Sequence, residues 1–151
     1  MKTQTFKGSL IAVLASMAIM ATPVLSRAGV KNFMTVINGA QETPPNGSAV
    51  TGNGILTYDT ATKTLCYNFS FDGAPPLAGG EILAHIHGPA APGVPAGIIL
   101  PLPLGNPKTA CIVNPAPPFN KADLFKGQYY VNIHSGGSPA GEIRGQIFRI
   151  K

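Results

Sequence analysis

The sequence has 151 residues, a formal net charge of +5 and only 11% charged residues. Three of its eleven basic residues, Lys2, Lys7 and Arg27, fall in the first 28 positions, so the remaining eight oppose six acidic residues and leave a net charge of +2. Those eight are scattered and form neither a basic stripe nor a pattern interleaved with aromatic residues, which excludes nucleic acid as a predicted partner.

The first 28 residues have the layout of a secretory signal peptide. A positively charged start is followed by the apolar run 10–21 and by small residues around Arg27. The run is shorter than the roughly 20 apolar residues that cross a bilayer, so we expect cleavage after Ala28 and no membrane span in the mature chain. The prediction is a signal peptide at 1–28, one domain at 29–151, and a secreted or periplasmic location.

Short apolar runs bounded by turn-forming residues predict strands along the mature chain. The sequence holds 18 glycines and 15 prolines, which helix interiors tolerate poorly, and its apolar residues alternate as in antiparallel sheets. The predicted fold is therefore all-β, an antiparallel β-sandwich or partly closed barrel. The main predicted strands are 31–38, 52–59, 65–71, 81–87, 128–134 and 142–150.

The region between the fourth of these strands and the last two is less regular. Pro101 and Pro103 confine the run 97–104 to a sheet edge or a bulge, and 110–113 is expected to continue that edge. Residues 121–126 form the one predicted helix, a turn or two long, which begins after Asn120 as its cap.

The chain has two cysteines, Cys66 and Cys111, and both belong to the predicted mature domain. In an oxidising compartment we expect them to form a disulfide. Closing a loop of 45 residues would stabilise the fold by about 3–4 kcal/mol on the chain-entropy model. Two buried free thiols are the alternative. The absence of a Cys-x-x-Cys motif argues against redox catalysis.

Six segments of the predicted mature domain carry distinctive motifs: 38–45, 64–65, 84–90, the short helix 121–126, 127–134 and 138–146. Together they resemble the CHRD domain, a module first described in chordin and widespread in bacterial secreted proteins. The resemblance covers almost all of the mature chain and implies an immunoglobulin-like β architecture, but no settled biochemical activity. Two features depart from the family pattern, a proline-rich insertion after Gly97 and the cysteine pair.

All three histidines of the chain lie in two of these motifs. His85 and His87 are two residues apart on one predicted strand and therefore point to the same side. If the strand that carries His134 lies beside it, three imidazoles converge in an arrangement that suits Cu(II) or Zn(II). The pattern is similar to the copper half of copper-zinc superoxide dismutases, but with no fourth histidine and no zinc loop we expect no dismutase activity.

A purely structural role of these histidines is the interpretation that we favour from sequence alone. Outward-facing strand positions are polar by default, and a histidine can anchor a loop by bonding backbone carbonyls beside Gly88 or Gly136. Copper or zinc binding is the alternative, and no other cofactor is indicated.

The last predicted strand carries Glu142, Arg144 and Gln146 on one face. We expect Arg144 to donate to a carboxylate, either Glu142 or Glu81, or to loop carbonyls, and so to fix strand register. The alternative is that Arg144 grips an anionic ligand. Glu42 is expected to anchor a turn.

No motif for a nucleophile, a carboxylate pair or a nucleotide occurs in the sequence. We therefore predict a non-catalytic binding or structural module whose partner is another protein or a component of the envelope or matrix. The alternative is a copper- or zinc-binding protein using His85, His87 and His134, and a metal-dependent enzyme is the third hypothesis.

Overall fold

A computed structural model of the protein describes residues 29–73 and 76–151. The predicted signal peptide lies outside the described residues. Within these ranges the chain forms short strands, a single turn of 3-10 helix (Gly39–Gln41) and one short helix. The elements are β1 (Val30–Asn38), β2 (Thr51–Asp59), β3 (Thr64–Phe71), β4 (Glu81–His87), β5 (Ile98–Pro101), β6 (Lys108–Val113), α1 (Lys121–Phe125), β7 (Tyr130–Ser135), β8 (Ile143–Gln146) and β9 (Phe148–Arg149).

The strands form one continuous antiparallel sheet that curls into a half-barrel. Their spatial order is β5-β4-β7-β8-β1-β2-β3-β6, and β9 adds to β1 beside β8. The prediction of an all-β fold with one short helix is confirmed. Among the described residues, no helix is long and apolar enough to cross a membrane.

Alternation along the strands sends one set of side chains into the curl. On β3, Leu65, Tyr67 and Phe69 are buried, as the sequence pattern predicts. On β1, Phe33 and Ile37 are buried and Val36 is 55% exposed, because it has the opposite parity. The short helix closes one end of this core, where Leu124 is fully buried and the Phe125 ring packs 5.7 Å from that of Phe33.

The predicted position of 110–113 is wrong. Strand β5 pairs with β4 and strand β6 pairs with β3, so the two lie at opposite ends of the sheet and not on a common edge. The predicted strand 142–150 is also two strands, since Ile147 separates them and donates its N–H to Tyr129 O at 2.9 Å.

A disulfide between Cys66 and Cys111 joins β3 to β6, which confirms the predicted bridge. The two residues are directly opposite each other in the strand pairing. The bond therefore ties an edge strand to its neighbour, and a disulfide of this kind is typical of proteins in oxidising compartments.

Candidate metal centre

Strands β4, β7 and β8 are neighbours in the sheet and share a polar outer surface. Residues between these polar positions, such as Ala84, Ile86, Val131 and Ile133, belong to the core on the other side of the sheet. Two rows of paired residues cross the three strands, His85–Asn132–Arg144 and His87–Tyr130–Gln146. We call the surface formed by His85, His87, Tyr130, Asn132, His134, Arg144 and Gln146 the polar face.

The three histidines converge on the polar face. One ligand atom from each of His85, His87 and His134 lies within 4.8 Å of the other two. His85 Nδ1 is 3.3 Å from His134 Nε2, and the ring centroids of His85 and His87 are 5.4 Å apart. The side chains are only 8–9% exposed, so this is a nearly buried cluster of imidazoles.

Backbone carbonyls fix the orientation of two of the rings. His87 Nδ1 lies 3.0 Å from Ala96 O, and His134 Nδ1 lies 3.0 Å from Pro139 O. A carbonyl oxygen only accepts, so each Nδ1 carries the proton and each Nε2 is left as an acceptor, which for His134 faces His85 Nδ1. His87 Nε2 is buried and has no hydrogen-bond partner among the described residues. An outer hydrogen bond of this kind is what orients metal-binding histidines.

The environment also favours the uncharged form of two of the imidazoles, those of His85 and His87. Burial lowers the pKa of His85 and of His87, and the neighbouring imidazoles lower both further. The charge of Arg144 also lowers the pKa of His87, whereas the hydrogen bond from His87 to the carbonyl of Ala96 raises it. Only the neutral form of histidine binds a metal, so near-neutral pH favours the ligand form.

Tyr130 supports His87 in two ways. Its ring stacks on the His87 imidazole at a centroid distance of 5.1 Å, with 6° between the planes. Its hydroxyl accepts a hydrogen bond from Ala96 N at 3.0 Å. Because Ala96 also accepts from His87, one residue of the 88–97 loop is held by both side chains of the stack.

Arg144 lies on the other side of Tyr130 from β4, with its guanidinium carbon 3.5 Å from the ring centroid. It donates to Val94 O at 2.9 Å and to Thr43 Oγ1 at 3.2 Å. Of the partners expected from sequence, the structure thus gives Arg144 a loop carbonyl and not Glu142 or Glu81. Arg144 is 2% exposed and holds two loops against the polar face.

The carboxylate of Glu142 is used to anchor other segments. It accepts from Ser48 Oγ at 2.8 Å and from Ala78 N at 2.9 Å. Glu81, by contrast, forms an ion pair with the buried ammonium of Lys108. Both carboxylates therefore have partners that account for them structurally.

Glu42 is placed differently, against Asn132 on the polar face. Asn132 Nδ2 donates to Glu42 Oε2 at 3.4 Å, but Glu42 Oε1 and Asn132 Oδ1 are both buried with no partner among the described residues. Both oxygens face Gly141, where an added Cβ would lie 2.8 Å from each. Burial raises the pKa of Glu42 to about 7, although the charge of Arg144 opposes the shift.

The sequence pattern indicated that the three histidines could lie together, but it did not indicate which residues hold their rings in place. Tyr130 and Asn132 share the parity of His134, which is a usable signal. Ala96 and Pro139 act through backbone carbonyls, and no side-chain pattern marks such a role.

Comparison with known proteins gives one match. The sequence model of the CHRD domain matches residues 33–147. No curated protein and no solved structure matches the chain.

Proposed function

The chain belongs to the CHRD domain family, and we propose that it acts as an exported, non-catalytic binding module whose ligand is a single copper or zinc ion. His85, His87 and His134 are the proposed ligands. Copper and zinc are the metals that imidazole sites bind best among the common divalent ions.

One observation carries this proposal, the convergence of three imidazoles, two of which already have their Nδ1 atom engaged by a backbone carbonyl. A histidine that merely anchors a loop needs one hydrogen bond, and His87 and His134 each have it through Nδ1. Within the part of the chain that the structure describes, His87 Nε2 is nevertheless buried without a hydrogen-bond partner, which costs free energy unless something binds there. A metal ion would bind one nitrogen atom of each of the three rings at once.

The disulfide and the first 28 residues support the exported location. A cross-strand disulfide persists in a periplasm or outside the cell. The positively charged start and apolar run of residues 1–28 have the composition of a signal peptide.

A second candidate function is a structural or protein-binding module without a metal, whose partner is another protein or an envelope or matrix component. Exposed apolar residues on the outer surface of the sheet favour it. Met34 pairs with Ile55 on one side and with Phe148 on the other, and the three side chains are 48%, 62% and 52% exposed. A row of this kind is a common feature of interaction surfaces.

Metal analysis of the purified mature protein separates the two candidates. After dialysis against equimolar copper and zinc we expect one ion per chain, and each of His85→Ala, His87→Ala and His134→Ala should weaken binding by about 100-fold or more. Asn68→Ala, at an exposed position of β3, is the matched control and should bind as the wild type does.

Metal binding should also raise the unfolding temperature of the wild type and of Asn68→Ala, since a ligand bound only by the folded state stabilises it. A metal content near zero, or one that the histidine replacements leave unchanged, would contradict the proposal and leave the second candidate.

A further inference from the structure

Building on the proposed metal centre, we propose that the ion it holds is monovalent copper, Cu(I), in preference to Cu(II) or Zn(II), and that Arg144, acting beside Tyr130, sets this preference. The proposal rests on the charges around the three histidines and on their burial.

The cluster supplies no negative charge to a bound ion. Its three members are imidazoles, and across the described residues no carboxylate belongs to the group. The rings are 8–9% exposed, so water screens an ion there poorly. The free energy of moving an ion out of water grows with the square of its charge, so a divalent ion loses about four times as much hydration free energy as a monovalent ion.

Arg144 adds a positive charge to the same surface. His87 lies on β4 and Arg144 on β8, and Tyr130, on the strand between them, contacts both. The guanidinium carbon of Arg144 is 3.5 Å from the centroid of the Tyr130 ring, and that centroid is 5.1 Å from the centroid of the His87 ring. The distance from the guanidinium carbon to the His87 ring centroid therefore cannot exceed the sum of these two distances. Its hydrogen-bond partners, Val94 O and Thr43 Oγ1, are uncharged and do not neutralise it.

Of the acidic side chains in the described ranges, Glu42 is the one whose charge acts on Arg144. It is itself buried against Asn132, and with a pKa of about 7 it is only partly ionised at neutral pH. The net charge around the centre is therefore positive before any metal enters. Three imidazoles also complete the coordination of Cu(I), whereas Zn(II) takes a fourth ligand.

The effect of Arg144 on selectivity has a definite size. One positive unit charge about 8 Å from the ion, at an effective dielectric constant of about 20, weakens the binding of a divalent ion relative to that of a monovalent ion by about 30-fold. Replacing Arg144 should remove this discrimination, and the copper reduction potential should fall by about 90 mV, since 59 mV corresponds to tenfold for one electron.

The test compares dissociation constants of the mature protein for Cu(I), Cu(II) and Zn(II). Bicinchoninate serves as the anaerobic competitor for Cu(I), and nitrilotriacetate as the competitor for the divalent ions. We expect Cu(I) to bind the wild type more tightly than Zn(II), and Arg144→Gln to shift the Zn(II)-to-Cu(I) affinity ratio by about 30-fold towards Zn(II).

Two further variants guard against a purely structural effect of the replacement. Arg144→Lys keeps the charge and should keep the wild-type ratio within about threefold, a bound that corresponds to less than 1 kcal/mol. Arg149→Gln removes an arginine that packs against Phe125, outside the polar face, and should leave the ratio unchanged.

The outcomes separate this inference from the proposed function. A protein that binds Zn(II) as tightly as Cu(I) overturns the Cu(I) assignment, and an Arg144→Gln variant with the wild-type ratio overturns the role given to Arg144. Either result leaves the metal centre standing. Failure to bind any of the three ions overturns both. If Arg144→Gln does not fold, the wild-type ratio and Arg144→Lys still decide.

Discussion

Replacing Glu42 by Gln exchanges one carboxyl oxygen for an NH2 group of the same shape, and we expect it to stabilise the protein above neutral pH. In the wild type, Glu42 Oε1 and Asn132 Oδ1 are two buried acceptors that face the same space beside Gly141. An amide at position 42 provides a donor for that space, which the ionised carboxylate lacks.

The sign follows from proton binding. The pKa of Glu42 is raised from 4.5 to about 7 in the folded protein, chiefly by burial. The folded state therefore holds this proton more tightly than the unfolded state, and stability falls as the pH rises from about 4.5 to about 7. A shift of this size corresponds to about 3 kcal/mol at pH 8 and to about 1 kcal/mol at pH 5.

Two histidines contribute in the opposite direction. The pKa values of His85 and His87 are lowered by burial, so the stability linked to them is lost as the pH falls below their unfolded value of 6.5. Both variants share this contribution, which cancels when Glu42→Gln is compared with the wild type at each pH.

The assay is urea unfolding of both proteins at pH 5 and pH 8, with a chelator present so that metal binding does not contribute. We expect the advantage of Glu42→Gln to grow by about 2 kcal/mol between the two conditions. Glu142→Gln is the matched control, and it should destabilise by about 1–2 kcal/mol because Glu142 accepts from two donors that an NH2 group cannot serve together. A difference between Glu42→Gln and wild type that is the same at both values of pH would refute the reasoning.

Two further predictions concern stability. Replacing Cys66 and Cys111 together by Ala should lower the free energy of unfolding by about 3–4 kcal/mol, since the 45-residue separation is large; calorimetry of the double variant against the oxidised wild type checks this, and a loss below 1 kcal/mol would show that the bridge constrains the unfolded chain little. Gly88→Ala should cost at least about 3 kcal/mol, because its φ is +151° and a Cβ would lie 2.4 Å from the Tyr129 ring. Gly97→Ala, where nothing lies within 4 Å of the added Cβ, should be close to neutral by the same measurement, and equal losses at the two glycines would contradict the steric argument.

Much of the strand pattern could be predicted because it is local. Alternation placed Leu65, Tyr67 and Phe69 on the core side, and burial agrees. The same parity put His85 and His87 on one surface. His134 lies beside them because β4 and β7 are neighbours in the sheet. This pairing joins segments that are distant in the sequence, and a local residue pattern does not predict it.

What the sequence did not reveal depends on loops and on strand order. The carbonyl of Ala96 reaches His87 because the 88–97 loop folds back over the polar face, and several distant contacts determine its path. The sequence did contain a signal for the position of β6, which the prediction did not use. Cys66 lies on the outward side of β3, so a bridge to Cys111 implied that β6 pairs with β3.

The curled sheet remains open, and its two margins are β5 and β6. β5 has four residues and ends in Pro101, while β6 is flanked by Pro107 and Pro115. Since proline offers no N–H to an incoming strand, neither margin presents a long row of free amides to a second copy of the chain. A domain whose sheet margins are protected in this way should stay monodisperse at high concentration and resist growth into cross-β fibres.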